Sequence, residues 1–275
     1  FASLTPDGKI LDKASTPTPK TLEDLLAWLD QRLSEQDYSG IAMSVPGAVH
    51  QETGVIEGIS AIPYIHGFSW YEALSHHKLP VHLENDANCV GLSELLAHPE
   101  IENAACVVVG TGIGGAMIIN GKLHRGRHGL GGEFGYMTTI EPAEKLNNWS
   151  QLASTGSMVR YVIEKSGQTD WDGRKVYQEA ATGNALCQEA IERMNRNLAQ
   201  GLLNIQYLID PDVISLGGSI SQNPDFIKGV QKAVDAFVER YEEYTIAPVI
   251  QACTYQADAN LYGALVNWLQ EENQW

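Results

Sequence analysis

The sequence predicts an α/β protein with helices on both sides of mixed sheets. Strand and helix patterns alternate along the whole chain, apolar strands repeatedly run into glycine turns, and 275 residues fit one large domain or two modest ones sharing a cleft. No internal repeat and no low-complexity segment interrupts the alternation.

Taken in order, the elements read as follows. Thr21-Leu22-Glu23-Asp24 opens a helix with a capping signature, and Leu22, Leu25, Leu26, Leu29 and Leu33 share one face. Gly40 to Val45 is a buried strand stopped by Pro46-Gly47. Residues 48 to 60 read as a hairpin or irregular excursion around Gly54. Ser69 to Leu79 reads as helix, Val81 to Leu83 as strand, and Asp86 to Ala97 as helix again. Cys106 to Val109 and Met117 to Ile119 are strands. Asn120-Gly121 is a two-residue hairpin turn, since both residues tolerate positive φ, and Lys122 to His124 returns as a third strand. Gly183 to Ile209 carries a long amphipathic helix with Leu186, Ile191, Met194, Leu198, Leu202, Ile205 and Leu208 on its apolar side, ended by Asp210-Pro211. Val213 to Leu216 is a strand closed by Gly217-Gly218. A helix over Asp225 to Tyr244, a strand over Val249 to Ala252 and a helix over Ala259 to Leu269 finish the chain. The pattern divides the chain into a first lobe over residues 1–98, with a late helix at 257–272 returning to it, and a second lobe over 99–256.

Composition narrows the function classes. The net charge of −16, from 34 acidic and 18 basic residues, repels phosphate backbones and argues against nucleic acid. No apolar run reaches the roughly 20 residues of a membrane helix. Cys89, Cys106, Cys187 and Cys253 form no Cys-x-x-Cys pair and read as buried, reduced thiols of a cytoplasmic protein. The eight histidines, His76-His77 included, have no metal-ligand spacing along the chain.

Four motifs carry candidate chemistry. Gly110-Thr111-Gly112-Ile113-Gly114-Gly115 satisfies G-x-G-x-x-G, but a strand and a hairpin follow where a dinucleotide site needs a helix. What remains is a glycine turn between strands, either an anion cradle of backbone amides or a structural hairpin. Asp86 stands where a strand hands over to a helix. It reads as an N-cap, or as a general base at the carboxyl end of a strand that orients a hydroxyl attacking a phosphoryl group. Asn85 beside it can donate to and accept from a ligand hydroxyl. Glu133, within Gly131-Gly132-Glu133-Phe134-Gly135-Tyr136, is either a solvated loop acid or an acceptor for two vicinal sugar hydroxyls. Gly217-Gly218 can lie against a nucleotide or simply reverse the chain.

In sequence order these pieces resemble the ROK family of bacterial sugar kinases and repressors: Leu83-Glu84-Asn85-Asp86-Ala87-Asn88, the glycine turn at 110 to 115, Gly132-Glu133-Phe134-Gly135, then Asp210-Pro211 with Leu216-Gly217-Gly218. The resemblance covers essentially the whole chain. It implies the two-lobed fold of actin and hexokinase with the ligand cleft between lobes, a homodimer, and transfer of phosphate from ATP with Mg²⁺ to a small-molecule sugar, usually at the 6-hydroxyl. It makes Asp86 the catalytic base and Asn85 and Glu133 sugar ligands. Gly110, Thr111, Gly112 and Gly114 become the phosphate-binding turn, and Gly217 and Gly218 the adenosine-side glycines. The alternative is a sugar-binding regulator of the same family without catalysis; an actin-like ATPase is disfavoured by the Asn85–Glu133 pair.

Three departures qualify the resemblance. The family opens with a strand and an Asp-x-Gly-Gly-Thr phosphate turn, and this sequence starts at Phe1, just after their expected place. The family's His-Cys₃ zinc site is replaced: Tyr136 stands for its histidine, residues 137 to 150 contain no cysteine, and Ser150 stands for a following glutamate. Zinc is therefore not expected, and Tyr136 is expected to remodel the sugar contact. Pro63-Tyr64-Ile65 replaces a Pro-Asn-Leu string, so Tyr64 either stacks on a sugar face or packs on the protein surface.

Overall fold

The structure is a computed structural model that describes residues 1–58, 60–139, 147–241 and 243–275. At the start, β1 (Ala2–Leu4) and β2 (Ile10–Lys13) pair antiparallel. Helix α1 (Leu22–Leu33) begins as its sequence signals: the Thr21 hydroxyl accepts from the Asp24 amide at 3.2 Å. Its five leucines lie half-buried over a cluster that includes Ile41, Trp70, Leu74 and Leu83. The chain continues through β3 (Ile41–Val45) and the antiparallel hairpin of β4 (Ala48–His50) with β5 (Val55–Glu57). Helix α2 (Trp70–Ala73) leads into β6 (Val81–Asn85), which lies parallel to β3. The helix expected over Ser69 to Leu79 is cut short. After α2 only a single 3₁₀ turn covers Ser75–His77, and Lys78 takes a left-handed φ of 58° ahead of Pro80. Of the expected excursion at 48 to 60, residue 59 lies outside the described residues.

Helix α3 (Asp86–Ala97) leaves the end of β6 directly and buries Asn88, Cys89, Leu92, Glu94 and Leu95. A five-stranded sheet follows, built from β7 (Ala104–Val109), β8 (Ile113–Ile119) and β9 (Lys122–Leu123). Asn120 and Gly121 join the last two with φ of 53° and 69°, the hairpin turn read from the sequence. A short ladder of β10 (Thr138–Thr139) with β11 (Asn147–Asn148) opens a helical run of α4 (Trp149–Ala153), α5 (Thr155–Ser166), α6 (Gly173–Ala181) and α7 (Ala185–Ile209). Strand β12 (Val213–Gly217), helix α8 (Pro224–Arg240) and β13 (Ile250–Ala252) complete the sheet. Its order is β13-β12-β7-β8-β9, with β12 parallel to both neighbours and β8 and β9 antiparallel. Helices α4 to α8 cover one face through Met158, Val162, Met194, Leu198, Leu202, Phe226 and Val230.

Two helix readings are corrected here. The apolar stripe of α7 runs from Ile205 to Ile209, which packs on the core, and Leu208 falls outside it, 76% exposed, before Asp210 stops the helix in a left-handed conformation. Helix α8 stops at Arg240 rather than Tyr244, and residue 242 lies outside the described residues.

Helix α9 (Ala259–Glu271) returns across the molecule and packs on α3, β3 and β6. The contact with α3 is so close that a methyl group at Gly263 would overlap the Cys89 carbonyl oxygen. On the opposite side of α3, Gly91 faces Ala116 of β8 at similarly short range. Small residues thus let α3 be gripped by a helix on one side and the large sheet on the other. Trp268 of α9 donates its indole N–H to the Pro80 carbonyl at 3.3 Å and fills the space above Gly40. Among the described residues no helix is long and apolar enough to cross a membrane.

Gly263→Ala tests this grip. Ala is the better helix former by about 1 kcal/mol, yet overpacking costs about 1–3 kcal/mol when neither backbone can yield. The variant should therefore lower the urea midpoint despite its propensity gain; an unchanged or raised midpoint would show that α9 is free to move away from α3.

Candidate functional site

The carboxyl ends of β6, β7 and β12 open on one cavity of about 510 Å³, a volume within the usual range of ligand sites. Asp86, Gly110, Gly112, Gly114, Gly217 and Gly218 all line it. These residues span more than 130 positions of sequence and were singled out from separate motifs. A smaller hollow of about 120 Å³ lies between α5 and α7; no strand end opens into it, and ligand chemistry is placed at the larger cavity.

The glycine turn is held from below. Ser154 donates its hydroxyl to the Thr111 carbonyl at 3.0 Å, and the Gly156 amide donates to the Gly110 carbonyl at 3.2 Å. Ser150 accepts from the Ile113 amide at 2.9 Å and donates back to the Ile113 carbonyl at 3.3 Å. Its hydroxyl is committed to the turn. With the carbonyls so occupied, the amides of Thr111 and Gly112 have no partner among the described residues, which is the state an anion cradle requires. Across the cavity Gly218 adopts φ of 88°, and any side chain there would strike the Val109 carbonyl. Glycine is required at that position for β12 to close against β7.

Asp86 opens α3, but the cap is Asn85, whose side-chain oxygen accepts from the amides of Ala87 at 2.9 Å and Asn88 at 3.2 Å. The Asn85 amide group donates to the Gly47 carbonyl at 3.1 Å. Asp86 is thereby released from capping. Among the described residues its side chain accepts from the Ala87 amide, at 2.9 Å, and it reaches solvent through the open cavity while protein atoms crowd its other sides. That crowding pushes its carboxyl above the ordinary carboxylate range. Burial also raises Glu133, and the charge of Asp86 adds to the rise, so the two carboxylates feel one another. Glu133 is half-buried on a turn pinned beneath by Phe134 and Gly135.

Below these groups lies a network the sequence did not signal. Glu84, only 2% exposed, accepts from the Asn85 amide and the Asn88 side chain, both at 2.8 Å, and from Arg125 Nε at 2.6 Å. Arg125 also donates to Asn267 at 2.7 Å and Glu271 at 3.0 Å, both on α9. Burial opposes the guanidinium charge, but Glu84 and then Glu271 outweigh it and hold Arg125 protonated. The Arg125 carbonyl meanwhile accepts from the Gly131 amide at 2.8 Å, two residues ahead of Glu133. One residue therefore anchors both the Asn85-Asp86 corner and the Glu133 turn. A second buried acid, Glu94, accepts from the Thr254 amide at 2.8 Å and the Ser215 hydroxyl at 3.2 Å, joining α3 to the far side of the cavity. Cys253 also lines the cavity, its sulfur 3.6 Å from that of Cys106; that contact and burial raise its thiol and leave it unreactive.

The two tyrosines part company. Tyr64 sits in a 3₁₀ turn, packs against the apolar cluster around Trp70 and Leu83 and donates its hydroxyl to the Pro19 carbonyl. Tyr64, like Asn85, Thr111, Glu133 and Tyr136, is not among the residues that line the cavity. Tyr136 stands 72% exposed beside the Glu133 turn. The stretch compared with a zinc loop includes residues 140 to 146, which lie outside the described residues.

A cleft floored by strand ends, with a carboxylate facing a glycine turn, belongs to the two-lobed class of actin and hexokinase-like proteins. The chain belongs to the ROK family, which it matches over residues 1–271. It is 33% identical to a beta-glucoside kinase of Listeria monocytogenes, over 98% of this chain and 94% of that protein. It is 27% identical to a glucokinase of Halalkalibacterium halodurans, over 99% and 92%. The crystal structure of a ROK family protein from Streptococcus pneumoniae TIGR4 in complex with sucrose is 88% identical, with a TM-score of 0.98 over 100% of this chain and 95% of the other. The ROK hexokinase of Thermus thermophilus is 26% identical, with a TM-score of 0.84 over 97% and 93%.

Replacing Arg125 with Met should cost about 3–5 kcal/mol, since it strands the buried Glu84 carboxylate. The double variant Glu84→Gln/Arg125→Met should recover part of the loss. Equal destabilisation by the single and double variants in urea would show that Arg125 acts through packing alone.

The raised carboxyls set the sign of a second expectation. A carboxyl whose folded pKa exceeds its unfolded value favours folding below the unfolded value and loses that contribution as pH rises through the folded one. Asp86→Asn should therefore melt higher than the parent at pH 7, with the gap narrowing as pH falls toward the ordinary aspartate value of 3.8. A gap that widens on acidification would contradict the desolvation of Asp86.

Proposed function

We propose that this chain transfers the terminal phosphoryl group of ATP to the 6-hydroxyl of a hexose or hexose glycoside, with Asp86 as general base. That it is a sugar kinase rests on its family and on relatives named for that activity. The finer reading is carried by one observation: Asp86 faces the same cavity as the glycines at 110, 112, 114, 217 and 218.

The chemistry needs little covalent work from the protein. A sugar held by Asn85 and Glu133 presents its hydroxyl to Asp86. The Asp86 carboxylate takes the hydroxyl proton as the oxygen attacks the terminal phosphorus, the bond from that phosphorus to the bridging oxygen breaks, and ADP leaves. A carboxyl raised above its usual range by burial is a stronger base for this step. The Thr111 and Gly112 amides face the phosphates, and the Gly217-Gly218 corner lies along the nucleoside. Asp86 is the one carboxylate among the residues lining the cavity. Mg²⁺ would be held chiefly by the phosphates themselves, and it supplies charge neutralisation when bound.

For the acceptor we favour a glucoside over a free monosaccharide. A beta-glucoside kinase is among the relatives, a close neighbour was crystallised with sucrose, and the exposed Tyr136 offers a ring face beside Glu133 for a second sugar unit. We take the lobes to divide near residue 98, with α9 belonging to the first, in keeping with its contacts to β3, β6 and α3.

The test is sugar-dependent ADP release with glucose, N-acetylglucosamine, N-acetylmannosamine, a β-glucoside and sucrose. Turnover is expected with the β-glucoside. Asp86→Asn should reduce it by about 10² to 10⁴ while nucleotide binding persists. Sugar binding with no turnover by the parent protein would favour the regulator reading, and full activity in Asp86→Asn would remove that residue from the mechanism.

A further inference from the structure

Spacing along the chain leaves His76-His77 without a third ligand, but the fold supplies one. Asp30 on α1 lies against the Ser75–His77 turn. Its Oδ1 is 3.0 Å from His76 Nε2 and 2.8 Å from His77 Nε2. The ligand atoms of all three residues fall within 4.8 Å of one another. The two imidazole rings sit 4.1 Å apart, tilted by 39°, so their Nε2 atoms converge on the same carboxylate oxygen. This cluster is outside the cavity described above and shares no residue with it.

We propose that Asp30, His76 and His77 form a binding site for a divalent transition metal of the zinc class, which clamps α1 to the turn ahead of β6. The distances suit such an ion. With metal–ligand bonds of about 2.0–2.2 Å, neighbouring ligand atoms lie roughly 3.0 to 3.4 Å apart in octahedral or tetrahedral arrangements. The observed spacings of 2.8 and 3.0 Å need open by only a few tenths of an ångström. Neither ring uses its Nδ1 atom in a hydrogen bond among the described residues, so each can carry its proton there and turn a lone pair at Nε2 toward the ion.

Donor type sets the metal class. Two imidazoles and one carboxylate select Zn²⁺, Co²⁺ or Ni²⁺ over Mg²⁺, which prefers an oxygen shell. The site would therefore not compete for the Mg²⁺ that accompanies ATP. His76 is exposed, leaving room for water to complete the coordination.

The mechanical role follows from how α1 is attached. None of its residues is fully buried; its leucines cover the first lobe's cluster only in part. A metal joining Asp30 to the turn would cross-link positions 46 and 47 residues apart and fix the helix against its neighbour.

Isothermal titration of Zn²⁺ into the full chain, without nucleotide, tests the site. One equivalent should bind in the micromolar range or tighter. At about a hundredfold excess over Kd the melting temperature should rise by roughly 5 °C. Asp30→Asn and His77→Gln should each weaken binding at least tenfold. His76→Gln, at an exposed position, provides a variant whose folding is not at risk and should do the same. Zn²⁺ binding and thermal shifts that are equal in the parent and in His76→Gln, or the absence of binding in the parent, would overturn the proposal and leave the three residues as a hydrogen-bonded cluster.

Discussion

The arrangement of the cleft depends on the ion pair between Glu84 and Arg125. A carboxylate 2% exposed would be prohibitive to bury alone, and its burial is tolerable here because both oxygens are used. Each partner does a different job. The Asn85 amide and the Asn88 side chain orient the first turn of α3. Arg125 ties that turn to α9 through Asn267 and Glu271. The Arg125 carbonyl holds Gly131, and through it the position of Glu133. A single residue, Arg125, thus ties the segment that carries Asp86 to the segment that carries Glu133.

This arrangement explains the division of labour at the strand end. An aspartate opening a helix is ordinarily consumed by the amides of the first turn. Here the Asn85 oxygen takes those amides, and its amide group donates one of its two hydrogens to the Gly47 carbonyl. Asp86 keeps a free oxygen facing the cavity. The adjacent residues look like a redundant polar pair in the sequence, yet one provides the cap so that the other does not have to.

Much of the fold was legible because local signals agreed with tertiary packing. Helix α3 matches its expected bounds of Asp86 to Ala97, and the Asn120-Gly121 hairpin has the positive φ values its residues invite. Rejecting the dinucleotide reading of Gly110 to Gly115 required only noticing that a strand follows, and β8 is that strand. Where the sequence misled, the cause was non-local. Leu208 reads as part of the apolar side of α7, but Ile205 and Ile209 hold that face and Leu208 is left exposed. The hydroxyl of Tyr64 finds its partner in the Pro19 carbonyl, 45 positions away. Arg125 had no readable motif at all, since its partners lie 41, 142 and 146 positions distant. Periodicity and turn chemistry report on neighbours within a few residues. Ion-pair partners across the fold leave no trace in them.

The electrostatics of the cavity place stability and chemistry in opposition. Crowding Asp86 and setting Glu133 near it raises both carboxyls, which means the folded state holds each negative charge less readily than the unfolded chain does. A structure selected for stability alone would separate the two acids or pair one with a cation. A cation is close at hand, because Arg125 anchors both segments, but its guanidinium bonds through Nε to Glu84 and through Nη2 to Asn267 and Glu271. The positive charge strengthens the scaffold without pairing with Asp86 or Glu133. Asp86 therefore retains an elevated proton affinity on the wall of the cavity, a perturbed carboxyl of the kind that clusters at functional sites.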